Sequence, residues 1–310
     1  MKNCRIVLLL IFLISFSSAT ILYSHSEEQR AKEVAKGVYA VTDLGFSNCG
    51  FIVTDDCVVV VDTTMLPSFA EDLLNEIKKI TDKPVKFAIN THWHTDHIGG
   101  NQAFASKGIP IIGQQFTRDK VAERRKEQDE GKADESLKMF GPDFKFTPPN
   151  MTFKNEMRIY PGGREIVIKY FGGGHTGGDA VVYIPDAKVL FSGDLFLKGS
   201  GLPDYRDDAN IDVHINALKE LQKMDIEKIV CGHLERLGST DITAKKEDIQ
   251  KSLDKMIALR DEIKKYVDKG VSAEKAAESI KFPEGENPFY KANFKKIILK
   301  VYGDIKNLKN

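Results

Sequence analysis

The sequence predicts an α/β fold in which two packed β-sheets carry helices on their outer faces, and three observations lead there. Short apolar strand patterns dominate each half of the chain, an amphipathic helix pattern falls late in each half, and polar clusters sit where the strands end. With 310 residues, 42% of them apolar and 29% charged, the chain can bury a substantial core without a disulfide framework.

The first half opens with strand patterns VYAV, GFIV and VVVVD between residues 37 and 62, with Asp55-Asp56 as a turn. The run at 58–61 is apolar at every position, as in a strand covered on both faces. Phe69, Leu73, Leu74, Ile77 and Ile80 then recur at helical spacing, Pro84 ends that helix, and residues 87–89 form a short buried strand. A helix start at 99–106 and a strand at 110–112 follow. Residues 118–139 are highly charged and sparsely apolar, the pattern of an exposed helix or a mobile flap, until Pro142, Pro148 and Pro149 break the chain.

The second half reads as strands at 157–159, 165–170, 180–184 and 188–191, a helix over 211–224 and a strand at 228–231. The tail differs. Ile249, Leu253, Met256, Ile257, Ile263, Tyr266 and Val267 make an apolar stripe among charges, and Phe294, Ile297, Ile298 and Val301 repeat it beyond a loop at 283–288. These helices are expected to dock on the body, which divides the chain into a catalytic domain at 30–242 and a helical extension at 243–310.

Residues 1–19 read as a signal peptide: Lys2 and Arg5 precede an apolar run at 6–16, and Ser17 and Ala19 are small residues suited to cleavage after Ala19. A periplasmic or secreted protein is expected, without a stable transmembrane domain once the leader is cleaved and membrane-anchored if it is not. Removal of the leader, and Cys4 with it, leaves Cys49, Cys57 and Cys231, an odd count; the turn at 55–56 does not place Cys49 opposite Cys57, so no disulfide is expected. A formal net charge of +0 supplies no cationic field for a phosphate backbone, which argues against nucleic acid as a partner.

The densest chemical signal is THWHTDH at 91–97, directly after a predicted strand, which holds three of the seven histidines. His92, His94, Asp96 and His97 place four potential ligands in six positions, a cluster costly to desolvate without a cation. Imidazole and carboxylate suit zinc. His175 within FGGGHTGGD, Asp194 after VLFSG and His233 after IVCG lie at similar strand ends. The glycines beside His175 lack the spacing and lysine of a phosphate-binding loop. Together the seven residues are enough for two zinc sites with room left for water.

HWHTDH, GHTGGD, SGDLF and CGH stand in the order found in the metallo-beta-lactamase-fold hydrolase superfamily, which the chain resembles over residues 38–233. The resemblance implies a four-layer αββα sandwich with two mixed sheets and outer helices. It also implies two zinc ions, with His92, His94 and His175 as one set, Asp96, His97 and His233 as the other, and Asp194 bridging. True class B1 beta-lactamases place a cysteine where Asp194 stands; an all-His/Asp shell is similar to glyoxalase II and acyl-homoserine lactonases. The implied activity is hydrolysis of a small thioester, lactone or lactam by zinc-activated hydroxide, with Asp96 as both ligand and water-orienting residue. The alternatives are beta-lactamase activity as the principal function, an iron-containing redox enzyme and a non-catalytic metal-binding module.

Around this set, Asp62 and Asp179 either hold ligand histidines by their second ring nitrogen or cap turns. His214 is expected to be structural, and His25 has no role. Phe46 could cover an apolar part of a substrate, Trp93 could brace the histidine loop, and Lys198 is a candidate for a substrate carboxylate. The expected partner is a small molecule; protein partners are not identified by the sequence.

Overall fold

The computed structural model describes residues 30–42, 44–132, 135–199, 208–233, 242–283 and 288–307; the predicted leader, Cys4 and His25 lie outside them. Strands β1 (Ala31–Ala35), β2 (Val38–Val41), β3 (Cys49–Val53) and β4 (Val58–Val61) form an antiparallel meander. Helix α1 (Pro67–Lys78), started by a proline whose missing N–H matters little there, crosses over to β5 (Val85–Ile89), which lies parallel to β4. Helices α2 (Thr95–Ile98) and α3 (Asn101–Ser106) lead to β6 (Ile111–Gln114); α4 (Gln115–Asp129) and a 3₁₀ turn at Glu135–Phe140 lead to β7 (Met151–Phe153). Both strands continue the parallel ladder, which completes a seven-stranded mixed sheet.

The second sheet repeats the plan. Strands β8 (Glu156–Ile159), β9 (Ile166–Tyr170), β10 (Ala180–Ile184) and β11 (Val189–Gly193) are antiparallel. Helix α5 (Ile211–Lys223), capped by the Asn210 side chain, crosses to β12 (Lys228–Cys231), parallel to β11. Helices α6 (Lys246–Asp268), α7 (Ala273–Ser279) and α8 (Phe294–Asn307) make up the extension.

Three apolar clusters define the layers. Val59, Val61 and Ile89 of the first sheet meet Ile168, Val182 and Phe191 of the second. Val58 and Val60 face outward against Leu73 and Ile77 of α1 and Phe104 of α3. On the far side Leu190 and Ile229 join Leu218 and Leu221 of α5, Leu253 and Ile263 of α6 and Ile298 and Val301 of α8. This is the αββα sandwich, with each fully buried Val, Leu or Ile contributing roughly 1.5–3 kcal/mol.

Several local expectations are revised. The helix expected at 99–106 begins earlier, at Thr95, and is split in two. Strands β1 and β7 were not legible: the exposed Lys32 and Glu33 between buried Ala31 and Val34 break the two-residue alternation, and β7 is three residues long beside Pro148-Pro149. Most of 118–139 is helix α4, held by buried Thr117 and Val121. The expected turn forms, with Thr54 N–H donating to the Cys57 carbonyl, and Cys49, Cys57 and Cys231 are buried free thiols. Among the described residues no helix is long and apolar enough to cross a membrane.

Candidate metal centre

Strands β4, β5, β11 and β12 end on one edge of the sandwich, and the loops leaving them carry chemistry, as the carboxyl ends of parallel strands generally do. The loop after β5 presents His92 and His94, and helix α2 Asp96 and His97; Asp194 directly follows β11 and His233 lies two residues past β12. His175 comes from the loop after β9. There Gly174 takes a φ of +149°, and a Cβ on it would stand 2.7 Å from the Cα of His214 in α5, so the loop can lie against that helix only with glycine at this position.

The structure brings all seven predicted residues together. His92, His94, His175 and Asp194 form one group, and Asp96, His97 and His233 another, each with donor atoms within 4.8 Å of one another. Asp194 faces both. Its Oδ1 is 3.3 Å from His97 Nε2, while its Oδ2 lies 3.3 Å from His233 Nε2, 3.5 Å from His175 Nε2 and 3.8 Å from His92 Nε2. Asp96 Oδ2 stands 3.2 Å from His233 Nε2 and 3.6 Å from His97 Nε2. His94 Nδ1 and His175 Nε2 are 3.1 Å apart.

Neighbouring groups fix the rings. His233 Nδ1 is 2.9 Å from the Phe46 carbonyl, which only accepts, so that nitrogen carries a hydrogen and Nε2 is the one that faces the site. His97 Nδ1 likewise donates to Asp62 Oδ2 at 2.8 Å. Asp62 also accepts from the Thr91 backbone N–H and hydroxyl, each at 2.8 Å, which leaves the Thr91 oxygen to accept from His92 Nδ1 at 3.1 Å. Asp62 thus holds ligand-loop groups, one of its two predicted roles. Asp179 takes the other: it caps the turn after His175, accepting from Thr176 N–H and Oγ1.

A cation fits this donor set. Nε2 of His92 and of His97 and Oδ1 of Asp194 are buried without a hydrogen-bond partner among the described residues. The donor separations of 3.1–3.8 Å match the roughly 3.3 Å expected between two atoms each about 2 Å from one tetrahedral ion. Burial alone would keep His97 and His233 neutral, yet Asp194 and its neighbouring carboxylates raise both, His233 to about 10. Burial likewise opposes ionisation of Asp194, but His233 and His97 hold it well below the usual carboxylate range. The carboxylates demand positive charge here, as protons or as metal. The side chains of His233 and Asp96 remain 32% and 25% exposed, which makes theirs the open side.

The remaining candidates sort by contact. Phe46 is 73% exposed beside His233. Trp93 braces the histidine loop, its ring edge-on to His94 at 4.7 Å. Lys198 donates to the Thr243 carbonyl, which ties it to the start of the extension. His214 is structural: Nε2 meets the Leu195 carbonyl at 2.6 Å, and burial pushes its pKa down to about 3. Sequence reasoning missed Asn48, whose N–H and side chain bind the carbonyls of Gly232 and Cys231 and so join the two sheets under the site. No local motif marks it.

Fold and site together define a dinuclear metal-binding centre of the hydrolase type. The Metallo-beta-lactamase superfamily model matches residues 42–233, and the chain belongs to that family. It is 23% identical over 285 residues to a linear primary-alkylsulfatase of Pseudomonas sp. (strain ATCC 19151), spanning 80% of this chain but only about half, 52%, of that protein. It is 26% identical over 190 residues to a type 2 metallo-beta-lactamase of Elizabethkingia meningoseptica, covering 60% of this chain and 68% of the relative. Among solved structures, a metallo-beta-lactamase from Pontibacter korlensis superposes with a TM-score of 0.60 at 24% identity, over 74% of this chain and 99% of that one. The DIM-1 metallo-beta-lactamase gives 0.58 at 21% identity, over 74% and 98%. These two structures share the fold.

Proposed function

We propose that this chain is a dinuclear zinc hydrolase of a small acyl substrate such as a thioester, lactone or lactam. The observation that carries the reading is Asp194, whose two oxygens face both groups of imidazoles. His92, His94 and His175 would hold one ion, Asp96, His97 and His233 the second, and Asp194 both. Zinc bound there would supply Lewis acidity and lower the pKa of an attacking water toward neutrality.

The chain's own groups do the rest. Asp96 engages the imidazoles through Oδ2, which leaves Oδ1 to orient the water and receive its hydrogen bond. Phe46 stands beside the open side to cover an apolar part of the substrate. Residues 30–242 form the catalytic domain in this reading, 243–310 the docked extension, and 1–19 the export signal that directs the protein to the periplasm or beyond.

A sulfate ester is a second reading. The alkylsulfatase relative matches more of this chain than the family model does, which extends that likeness beyond the metal loops. Both readings are tested by one assay: the chain from residue 20 onward is offered a chromogenic cephalosporin, a thioester, a lactone and a primary alkyl sulfate, with zinc and iron counted in the same sample. Turnover of an acyl substrate that disappears on zinc removal and returns on its restoration is the expected result. A two-zinc protein inert toward all three acyl substrates would sink the first reading, and turnover of the sulfate alone would put the second in its place.

A further inference from the structure

A carboxylate outside the two donor groups lies between the loops that carry the first one. Asp208, just before α5, places Oδ2 2.8 Å from Trp93 Nε1 and 3.0 Å from the backbone nitrogen of Gly177. Trp93 stands between His92 and His94, and Gly177 follows His175 by two positions. Indole and peptide N–H groups only donate, so neither can satisfy the other, and an acceptor from a third segment is required to join them. One oxygen therefore fastens the loop after β5 to the loop after β9.

The surroundings restrict this contact further. The Trp93 ring lies edge-on to His94, with centroids 4.7 Å apart, so a turn of the indole would displace that imidazole. Arg124 lies 5.5 Å from the Trp93 centroid and 4.0 Å over Phe146, and its Nη1 donates to Thr95 Oγ1 at 3.1 Å. Two residues after Asp208, the Asn210 N–H donates to the Gly174 carbonyl at 3.1 Å. The segment entering α5 thus grips the His175 loop on both sides of the histidine.

We propose that Asp208 is a positioning residue that sets His92 and His94 at their distance from His175, and with it the zinc affinity of that group. The inference rests on the metal-centre reading given above. Hydrogen bonds that orient ligands typically alter metal affinity by about 10- to 100-fold, which is the loss expected when this one is removed.

The test uses the chain from residue 20 onward, freed of metal and titrated with zinc, as wild type, Asp208→Ala, Asp208→Asn and Trp93→Phe. Trp93 is the one tryptophan in the sequence, so its emission reports the side of the site next to His94. Bound zinc is counted in parallel. In the wild type, emission is expected to change as the first group fills. Asp208→Ala should weaken that event about 10- to 100-fold, shift the emission to the red and leave the other zinc unaffected. Asp208→Asn should restore both readouts, because its carbonyl oxygen can accept the same two N–H groups. Trp93→Phe keeps a ring and drops the donor, and should weaken one zinc of the two by count. Wild-type affinity in Asp208→Ala, equal weakening of both zincs, or Asn as weak as Ala would each overturn the proposal. A wild-type chain that takes up no zinc overturns the metal-centre reading itself and this inference with it, an outcome visible before any variant is compared.

Discussion

The carboxylate of Asp62 accepts a hydrogen bond from His97 Nδ1 at 2.8 Å while holding both donors of Thr91, so one buried side chain orients two of the proposed ligands, His97 directly and His92 through Thr91. Asp62→Ala strands three buried donors and is expected to lower stability by about 3–5 kcal/mol. Asp62→Asn retains the shape and part of the acceptance, so its melting temperature should fall less. In both variants zinc affinity should drop, by about 10- to 100-fold. Zinc titration beside thermal unfolding checks this; unchanged affinity in Asp62→Asn would remove the orienting role.

Gly232 offers a sharper probe of the bridging position. A Cβ there would collide with Asp194 Oδ1 and stand 2.9 Å from both the Gly193 carbonyl carbon and His97 Cε1. The carboxylate can swing aside but the Gly193 backbone must shift as well, so Gly232→Ala should fold with reduced stability, and Asp194 would leave the point where it faces both groups. The expected outcome is a folded protein that holds fewer than two zinc ions by elemental analysis; full occupancy would show that Asp194 is dispensable as a bridge.

Zinc uptake should release protons. With His233 raised to about 10, its imidazole is protonated in the metal-free site at neutral pH, and zinc must displace that proton; the carboxylates raise His97 in the same direction. Below pH 10 the apparent affinity should therefore rise with pH, by about tenfold per unit for the His233 proton. Indicator dye in weak buffer counts the protons directly. Zinc binding with no proton release would contradict the charge balance described for the site.

Two buried groups that are not themselves metal donors should tilt stability in opposite directions with pH. His214 titrates near 3 in the fold against about 6.5 unfolded, so its contribution is present above 6.5 and is lost as pH falls toward 3. Burial raises Asp179 to about 7 against about 3.9 unfolded, so its contribution is present below that value and is lost as pH rises through 7. Between pH 4 and 6.5 the two slopes oppose each other. Asp179→Asn should make the protein more acid-sensitive over this range, and His214→Asn less so, as urea unfolding at pH 7 and pH 5 would measure. Parallel curves for both variants would refute the assignment.

His92, His94, Asp96 and His97 were legible as a dense local signal directly after a strand, whereas His175, Asp194 and His233 each have an ordinary turn or strand-end explanation and stood out only together with that cluster and in the order of the family pattern. Apart from β1 and β7, the strands of both sheets were legible from apolar runs such as residues 58–61, and α1 and α5 from their stripes. What the sequence hid depends on distant partners. Asp208 meets Trp93 across 115 positions and Asn48 meets Cys231 across 183, and nothing local sets either apart from an ordinary loop residue. The charge-rich stretch at 118–139 left helix and flap open because only Thr117 and Val121 of α4 are buried.

The pairing of Asn48 with Gly232 and Cys231 also bears on the order of events during folding. Residues 92 and 233 come together only after both sheets exist and have docked, a late and entropically demanding step. Before then the nascent chain offers a metal only the HWHTDH stretch, a loose chelator. Where sheet docking limits the rate, zinc spanning residues 92 and 233 binds after that step. It should slow unfolding while leaving the refolding rate nearly untouched, so that bound metal sets the lifetime of the folded protein rather than how quickly that state is reached.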